Sequence, residues 1–211
     1  MPIRLQKIDE HTRPDHSYLD ENDECYYLLE YTPREGFAFS SANDIILNLK
    51  KSVDRRGRAE YRYKEWAIQR SSALLREALS AQWIASATLV PVPCSKQKNH
   101  PLYDDRMLQV LQRTTDGLPC DVQELVIQND NLDSFHDGYR LRPYQLKAYY
   151  ELDPDLRVRE VPREVAIFDD LLTTGCHFKA MQSIIHDHWP TVLVSGIFIA
   201  RRYIPHGEDG E

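Results

Sequence analysis

Val165-Ala-Ile-Phe-Asp-Asp-Leu-Leu-Thr-Thr-Gly-Cys-His177 is the stretch on which the fold turns. Four apolar residues run into two adjacent acids, Asp169 and Asp170, and then into a Thr-Thr-Gly turn that opens a helical pattern. The short apolar run reads as a buried strand over 164–169. An unpaired buried charge costs several kcal/mol, so both carboxylates are expected at the carboxyl end of that strand, where open α/β sheets bind ligands. The small residues behind them leave backbone N–H groups at a helix N-terminus, an arrangement suited to phosphate. Acids for sugar hydroxyls or a metal, beside donors for a phosphate, describe a phosphosugar site.

Outward from this stretch the pattern alternates. A helix is predicted over 175–189, ending at Pro190, and an apolar strand over 192–200. Strand, helix and strand in succession imply a parallel sheet with crossover helices. Upstream, Thr88-Leu-Val-Pro-Val-Pro93 is a short strand stopped by prolines, preceded by a long helical pattern over 60–86 in which Leu75, Leu79 and Trp83 recur every fourth residue. A helix is predicted over 103–112 and a strand over 122–127. Residues 41–51 form a short helix capped by Ser41 or Asn43. Two aromatic-rich runs, 25–31 and 36–40, flank Thr32-Pro-Arg-Glu35 and suggest an N-terminal hairpin. Residues 1–24 read as a loose lead-in and 128–146 as a long polar loop.

With 211 residues, 42% hydrophobic and 28% charged, the chain suits one ordinary globular domain, or one domain with an elaborated N-terminus. Its net charge of −7 argues against generic nucleic-acid binding. No apolar run is long enough to cross a membrane, and no signal peptide is evident at the start, so a cytoplasmic location is expected. Cys25, Cys94, Cys120 and Cys176 are far apart and form no CxxC pair, which reads as reduced thiols without a cysteine zinc site.

The acidic motif resembles the 5-phosphoribosyl-1-diphosphate (PRPP) binding motif of type I phosphoribosyltransferases. The likeness extends to the ComF-type, competence-associated branch through Asn48-Leu-Lys-Lys51, the long helix and Val90-Pro-Val-Pro-Cys-Ser-Lys96. It covers roughly residues 45–202. The resemblance implies an α/β Rossmann-like parallel sheet of the type I phosphoribosyltransferase fold, with residues 41–211 as the main domain and 1–40 as a hood-like accessory segment. It also implies roles. Asp169 and Asp170 would be the catalytic pair, holding the ribose 2- and 3-hydroxyls and, indirectly, a metal. Thr173, Thr174, Gly175, Cys176 and His177 would wrap the 5-phosphate. Cys94, Ser95, Lys96 and Arg106 would hold the pyrophosphate, with Lys98 a further cation. His136, Arg140 and Arg142 would belong to a mobile flap. Mg²⁺ bridging the diphosphate is the implied cofactor, and transfer of the phosphoribosyl group to or from a nitrogenous base the implied reaction. A homodimer and a nucleic-acid-processing partner protein also follow by analogy, as does the alternative of a catalytically silent PRPP-sensing or DNA/RNA-processing-associated accessory protein.

Three departures from the family pattern stand out. His177 replaces the usual Ser or Thr at the end of the phosphate loop. Thr173 occupies the position of the acid that purine-salvage members carry, which disfavours a purine-base acceptor. The N-terminal cysteine zinc element of many ComF-type members is missing. Several features have simpler readings: His186 and His188, two apart, do not share a helix face, and Asp54-Arg-Arg-Gly-Arg58 is a charged loop whose contact with phosphate or nucleic acid is the minority reading.

Overall fold

The structure is a computed structural model that describes residues 3–130, 141–154 and 163–205. Its centre is β7 (Glu164–Leu172), whose residues Val165 to Phe168 are almost without solvent contact. A continuous apolar run is what a parallel strand covered on both faces requires. β7 lies between β8 (Leu193–Arg202) and β3 (Thr88–Pro91), parallel to both. The six-stranded sheet has the order β1-β2-β8-β7-β3-β4, with β1 (Gln6–Lys7), β2 (Glu24–Tyr31) and β4 (Asp121–Val122) completing it. Only β1 runs antiparallel. The protein is therefore α/β with a mostly parallel mixed sheet.

Helices cover both faces. α6 (Cys176–His188) packs Phe178, Met181 and Ile185 on Val165 and Ile167. The other face carries α1 (Ser41–Leu49), α2 (Arg62–Ala78) and α4 (Arg106–Thr114), which place Ile46, Leu75 and Leu111 over Ala166 and Phe168. Successive β7 residues thus serve opposite cores, as the two-residue side-chain period of a strand dictates. The chain leaves β3 toward α4 on one face and leaves β7 toward α6 on the other. Such a divergence opens a crevice at the carboxyl ends of the two strands. The prolines sharpen it: β3 pairs with β7 only as far as Pro91 and Phe168, and one more bond joins the Val92 N–H to the Phe168 carbonyl at 2.8 Å. β7 runs on to Leu172 with β8 alone beside it.

Several expectations need correction. Residues 25–31 do not pair with 36–40: β2 pairs in parallel with β8, from Glu24 opposite Ser195 to Tyr31 opposite Arg202. Cys25, Tyr27 and Leu28 are buried on both faces, a sheet-interior pattern, whereas Phe37 and Phe39 are exposed in a turn. The 1–40 segment accordingly contributes two strands, β1 and β2, to the main sheet. The cap of α1 is Ser40, whose hydroxyl accepts the Asn43 N–H. The long helical pattern breaks at Leu79, in an extended conformation, and Ser80 caps the short α3 (Ala81–Ile84). The strand predicted over 122–127 is two: β4, and β5 (Val126–Gln128), which pairs with β6 (Tyr150–Leu152) in a separate small sheet. Within 128–146, α5 (Pro143–Lys147) is helical. His136 and Arg140 lie outside the described residues. Among those residues no helix is long and apolar enough to cross a membrane.

Candidate functional site

The crevice holds a pocket of about 430 Å³. Asp169, Asp170, Thr173 and His177 from the end of β7 and the start of α6 line it, together with Cys94, Ser95 and Lys96 from the loop after β3. Arg106 at the start of α4 and Lys50 at the end of α1 complete its charged wall. Residues separated by up to 127 positions in the chain, Lys50 and His177, therefore meet in one cavity.

The two acids differ sharply although they are neighbours. Asp170, 3% exposed, lies beneath the α1 and α4 face. Its Oδ2 accepts from Arg106 Nε at 3.0 Å and Nη2 at 2.7 Å, and its Oδ1 faces Lys50 Nζ at 3.2 Å. Burial pushes its pKa up, but Lys50 and Arg106 outweigh that and hold it well below the usual carboxylate range. Asp169, on the alternate pleat, accepts the Asp170 N–H at 2.7 Å. Burial, then the charge of Asp170, raises its pKa well above the ordinary value, with Lys50 opposing.

The cations are themselves anchored. Arg106 Nη1 also donates to Asp104 Oδ2 at 2.9 Å. The same carboxylate oxygen accepts from Lys64 Nζ at 2.7 Å. Lys64 is a lysine of α2 with only 3% exposure, and its ammonium further donates to the carbonyls of Leu49 at 2.6 Å and Lys51 at 2.9 Å. It thereby pins the end of α1, from which Lys50 reaches the pocket. Alternating charges run Lys50, Asp170, Arg106, Asp104, Lys64 across the sheet's carboxyl edge.

The turn after β7 is held from behind. Gly175 precedes α6 with φ of +84°, a left-handed conformation that favours glycine. A Cβ there would stand 2.7 Å from Leu19 Cδ2. The Tyr18 N–H donates to the Thr174 carbonyl at 2.9 Å, and the fully buried His16 ring bonds the Thr173 carbonyl through Nδ1. Residues 16–19 thus occupy the carbonyl side of the turn. The first N–H groups of α6 have no helical carbonyl to reach and no capping side chain.

Other site residues play structural parts. Cys94 Sγ accepts the N–H groups of Lys96 and Asp104, both at 3.4 Å, and so ties the loop after β3 to the approach to α4. The Cys176 thiol donates to the Leu141 carbonyl at 3.2 Å, and burial pushes its pKa up to about 11, which keeps it protonated. His177 Nδ1 meets the Tyr150 hydroxyl at 2.7 Å. The protein around its ring, with Lys50 and Arg106, holds the His177 pKa below the usual range against the pull of Asp170. The residue stays exposed, so solvent moderates that lowering. Lys98, expected as a further cation, pairs with Glu124 at 3.0 Å and does not line the pocket; Arg142, expected on a flap, is exposed at the N-cap of α5.

The sequence reading gave Lys50 no individual role and overlooked Lys64. Lys64 falls on the apolar stripe of α2 with Ala67, Ile68 and Leu75, and a lysine on a buried stripe is a signal in itself. The described side chains do not fit a resident Mg²⁺ site. Both oxygens of Asp170 are taken by cations, Asp104 is shared by Lys64 and the same Arg106, and no three His, Cys, Asp or Glu side chains converge among the described residues.

The unlike environments of the two acids predict opposite effects on stability. Asp169 has a raised folded pKa, so its ionisation lowers stability as pH climbs from about 4 through the folded value. Asp169→Asn removes that penalty and raises Tm at pH 7.5. Asp170→Asn weakens charged hydrogen bonds and costs about 1.5–3 kcal/mol. Thermal unfolding of the two variants checks this, and shifts of the same sign refute it.

No protein-family model matches the chain, and no curated protein matches it.

Proposed function

We propose that the pocket binds PRPP or a related ribose 5-phosphate, in a domain of the type I phosphoribosyltransferase kind, and that the phosphoribosyl group passes to or from a nitrogenous base. One observation carries this reading. The acidic pair, the turn at the start of α6 and the loop after β3 share one cavity with the cations Lys50 and Arg106. The free N–H groups of α6 suit a terminal phosphate, and two guanidinium or ammonium groups suit a diphosphate. Loss of pyrophosphate from an anomeric carbon develops positive charge on the sugar and negative charge on the leaving group. In this reading the carboxylates of Asp169 and Asp170 would offset the first charge, and Arg106 and Lys50 the second. Mg²⁺ enters this reading only as a companion of the diphosphate.

Both oxygens of Asp170 are already bonded, which favours a second reading, a PRPP sensor that binds without turnover. Calorimetric titration of PRPP, with and without Mg²⁺, into wild type and an Asp169→Asn/Asp170→Asn double variant tests both. Binding by wild type and its loss in the variant are expected. Absence of both heat and thermal shift in wild type refutes the ligand assignment. Pyrophosphate release on addition of a base marks transfer; binding without release with every base tested marks the sensor.

A further inference from the structure

Past the mouth of the pocket, the chain between α1 and α2 forms a surface that the phosphosugar reading does not use. Ser52 and Val53 line the pocket. Beyond them the chain turns at Gly57, with φ of +93° and nothing within 4 Å of where a Cβ would stand. Arg55, Arg56, Arg58 and Arg62 are exposed around this turn, and among the described residues none of them pairs with an acid. Between Lys51 and Tyr63 the only acids are Asp54 and Glu60, in a chain whose net charge is −7. The local charge is thus opposite to that of the whole.

Exposed rings stand among these cations. Lys51 Nζ lies 5.1 Å from the ring centroids of both Phe37 and Tyr63, which joins the 36–40 turn to the start of α2. The Arg62 guanidinium sits 5.0 Å from the Tyr63 ring, and Trp66 follows three residues later on the same helix face. Phe37 is 48% exposed, Tyr63 45% and Trp66 40%. Lone exposed apolar residues are ordinary, but three large rings interleaved with unpaired guanidiniums combine two kinds of recognition. Guanidiniums attract phosphates, and exposed rings stack bases. A duplex keeps its bases inside its own stack, and an acidic peptide offers no flat faces to a ring. The surface best matches a single strand.

We propose that this surface binds single-stranded nucleic acid, with phosphates on Arg55, Arg56 and Arg58 and bases on Phe37, Tyr63 and Trp66. The test is fluorescence anisotropy of a labelled 20-mer oligothymidylate with a 5′-hydroxyl end, at about 50 and 200 mM salt, using the full chain. An Arg55→Ala/Arg56→Ala/Arg58→Ala variant should bind at least tenfold more weakly, with a log–log salt slope shallower by about 2, since each phosphate contact contributes about 0.7. Tyr63→Ala/Trp66→Ala should weaken binding roughly 10- to 100-fold with an unchanged slope. Circular dichroism confirms that both variants are folded, as the exposure of all five side chains leads one to expect. Absence of binding at about 50 mM salt overturns the proposal. So does binding indifferent to the ring substitutions, or polyglutamate competing as well as unlabelled oligothymidylate, which would assign the surface to acidic proteins.

Discussion

Lys64→Met is expected to lower folding stability by about 3–5 kcal/mol, a fall in Tm of roughly 10 °C for a chain of this size. The methionine keeps the buried stem and most of the volume, so packing in α2 changes little. What disappears is a charged donor with three acceptors. Asp104 loses one of its two cations, and the carbonyls of Leu49 and Lys51 lose the ammonium that caps the end of α1. Removing one partner of a buried ionic group leaves the others desolvated without compensation, and that loss exceeds the net worth of the bond. Chemical denaturation with urea measures it. Lys64→Met/Asp104→Asn should recover part of the loss, because the orphaned charge goes too. A stability within 1 kcal/mol of wild type would mean that the network is not formed. Weaker phosphate binding should accompany the variant, since Lys50 and Arg106 both depend on what Lys64 holds.

Arg106→Met is expected to weaken pyrophosphate or PRPP binding by about 10- to 150-fold, the range for loss of a charge-assisted hydrogen bond of about 1.5–3 kcal/mol. It also uncovers Asp170, at a cost of about 3–5 kcal/mol in stability near neutral pH. The pH dependence separates this effect from simple misfolding. In the wild type the folded pKa of Asp170 is depressed: burial opposes ionisation, but Lys50 and Arg106 overcome it. A depressed folded pKa contributes stability that is fully present above the unfolded value, about 4, and is lost as pH falls through the folded one. The difference between wild type and Arg106→Met should therefore be largest near neutrality and shrink below about pH 4. Urea unfolding at pH 7 and pH 3 reads it, and a difference independent of pH would show that Arg106 acts through packing alone.

Much of the candidate site was legible from local pattern. The strand before the acids, the Thr-Thr-Gly turn, the helix after it and the proline-stopped strand before Cys94 each announce themselves within a few residues, because period, turn chemistry and helix starts are short-range properties. The partners of those residues were not legible in the same way. Asp170 meets Arg106 across 64 positions, and Lys64 meets Asp104 across 40. No local signal states which face of the sheet α1 and α4 will cover. The N-terminal strand misled for a related reason. Aromatic runs around a turn suit a hairpin, yet β2, apolar on both faces, is better buried beside β8.

By itself the sequence determined that a parallel α/β sheet exists, that two acids lie toward the end of its central strand and that a Thr-Thr-Gly turn follows it, because apolar periodicity and turn residues act over short distances. Only the tertiary structure decided that the two acids are unlike. Adjacent strand residues face opposite layers, so Asp170 falls under Lys50 and Arg106, while Asp169 keeps no guanidinium of its own. Charge environment is a property of what packs across the sheet, and that is settled when distant helices come together.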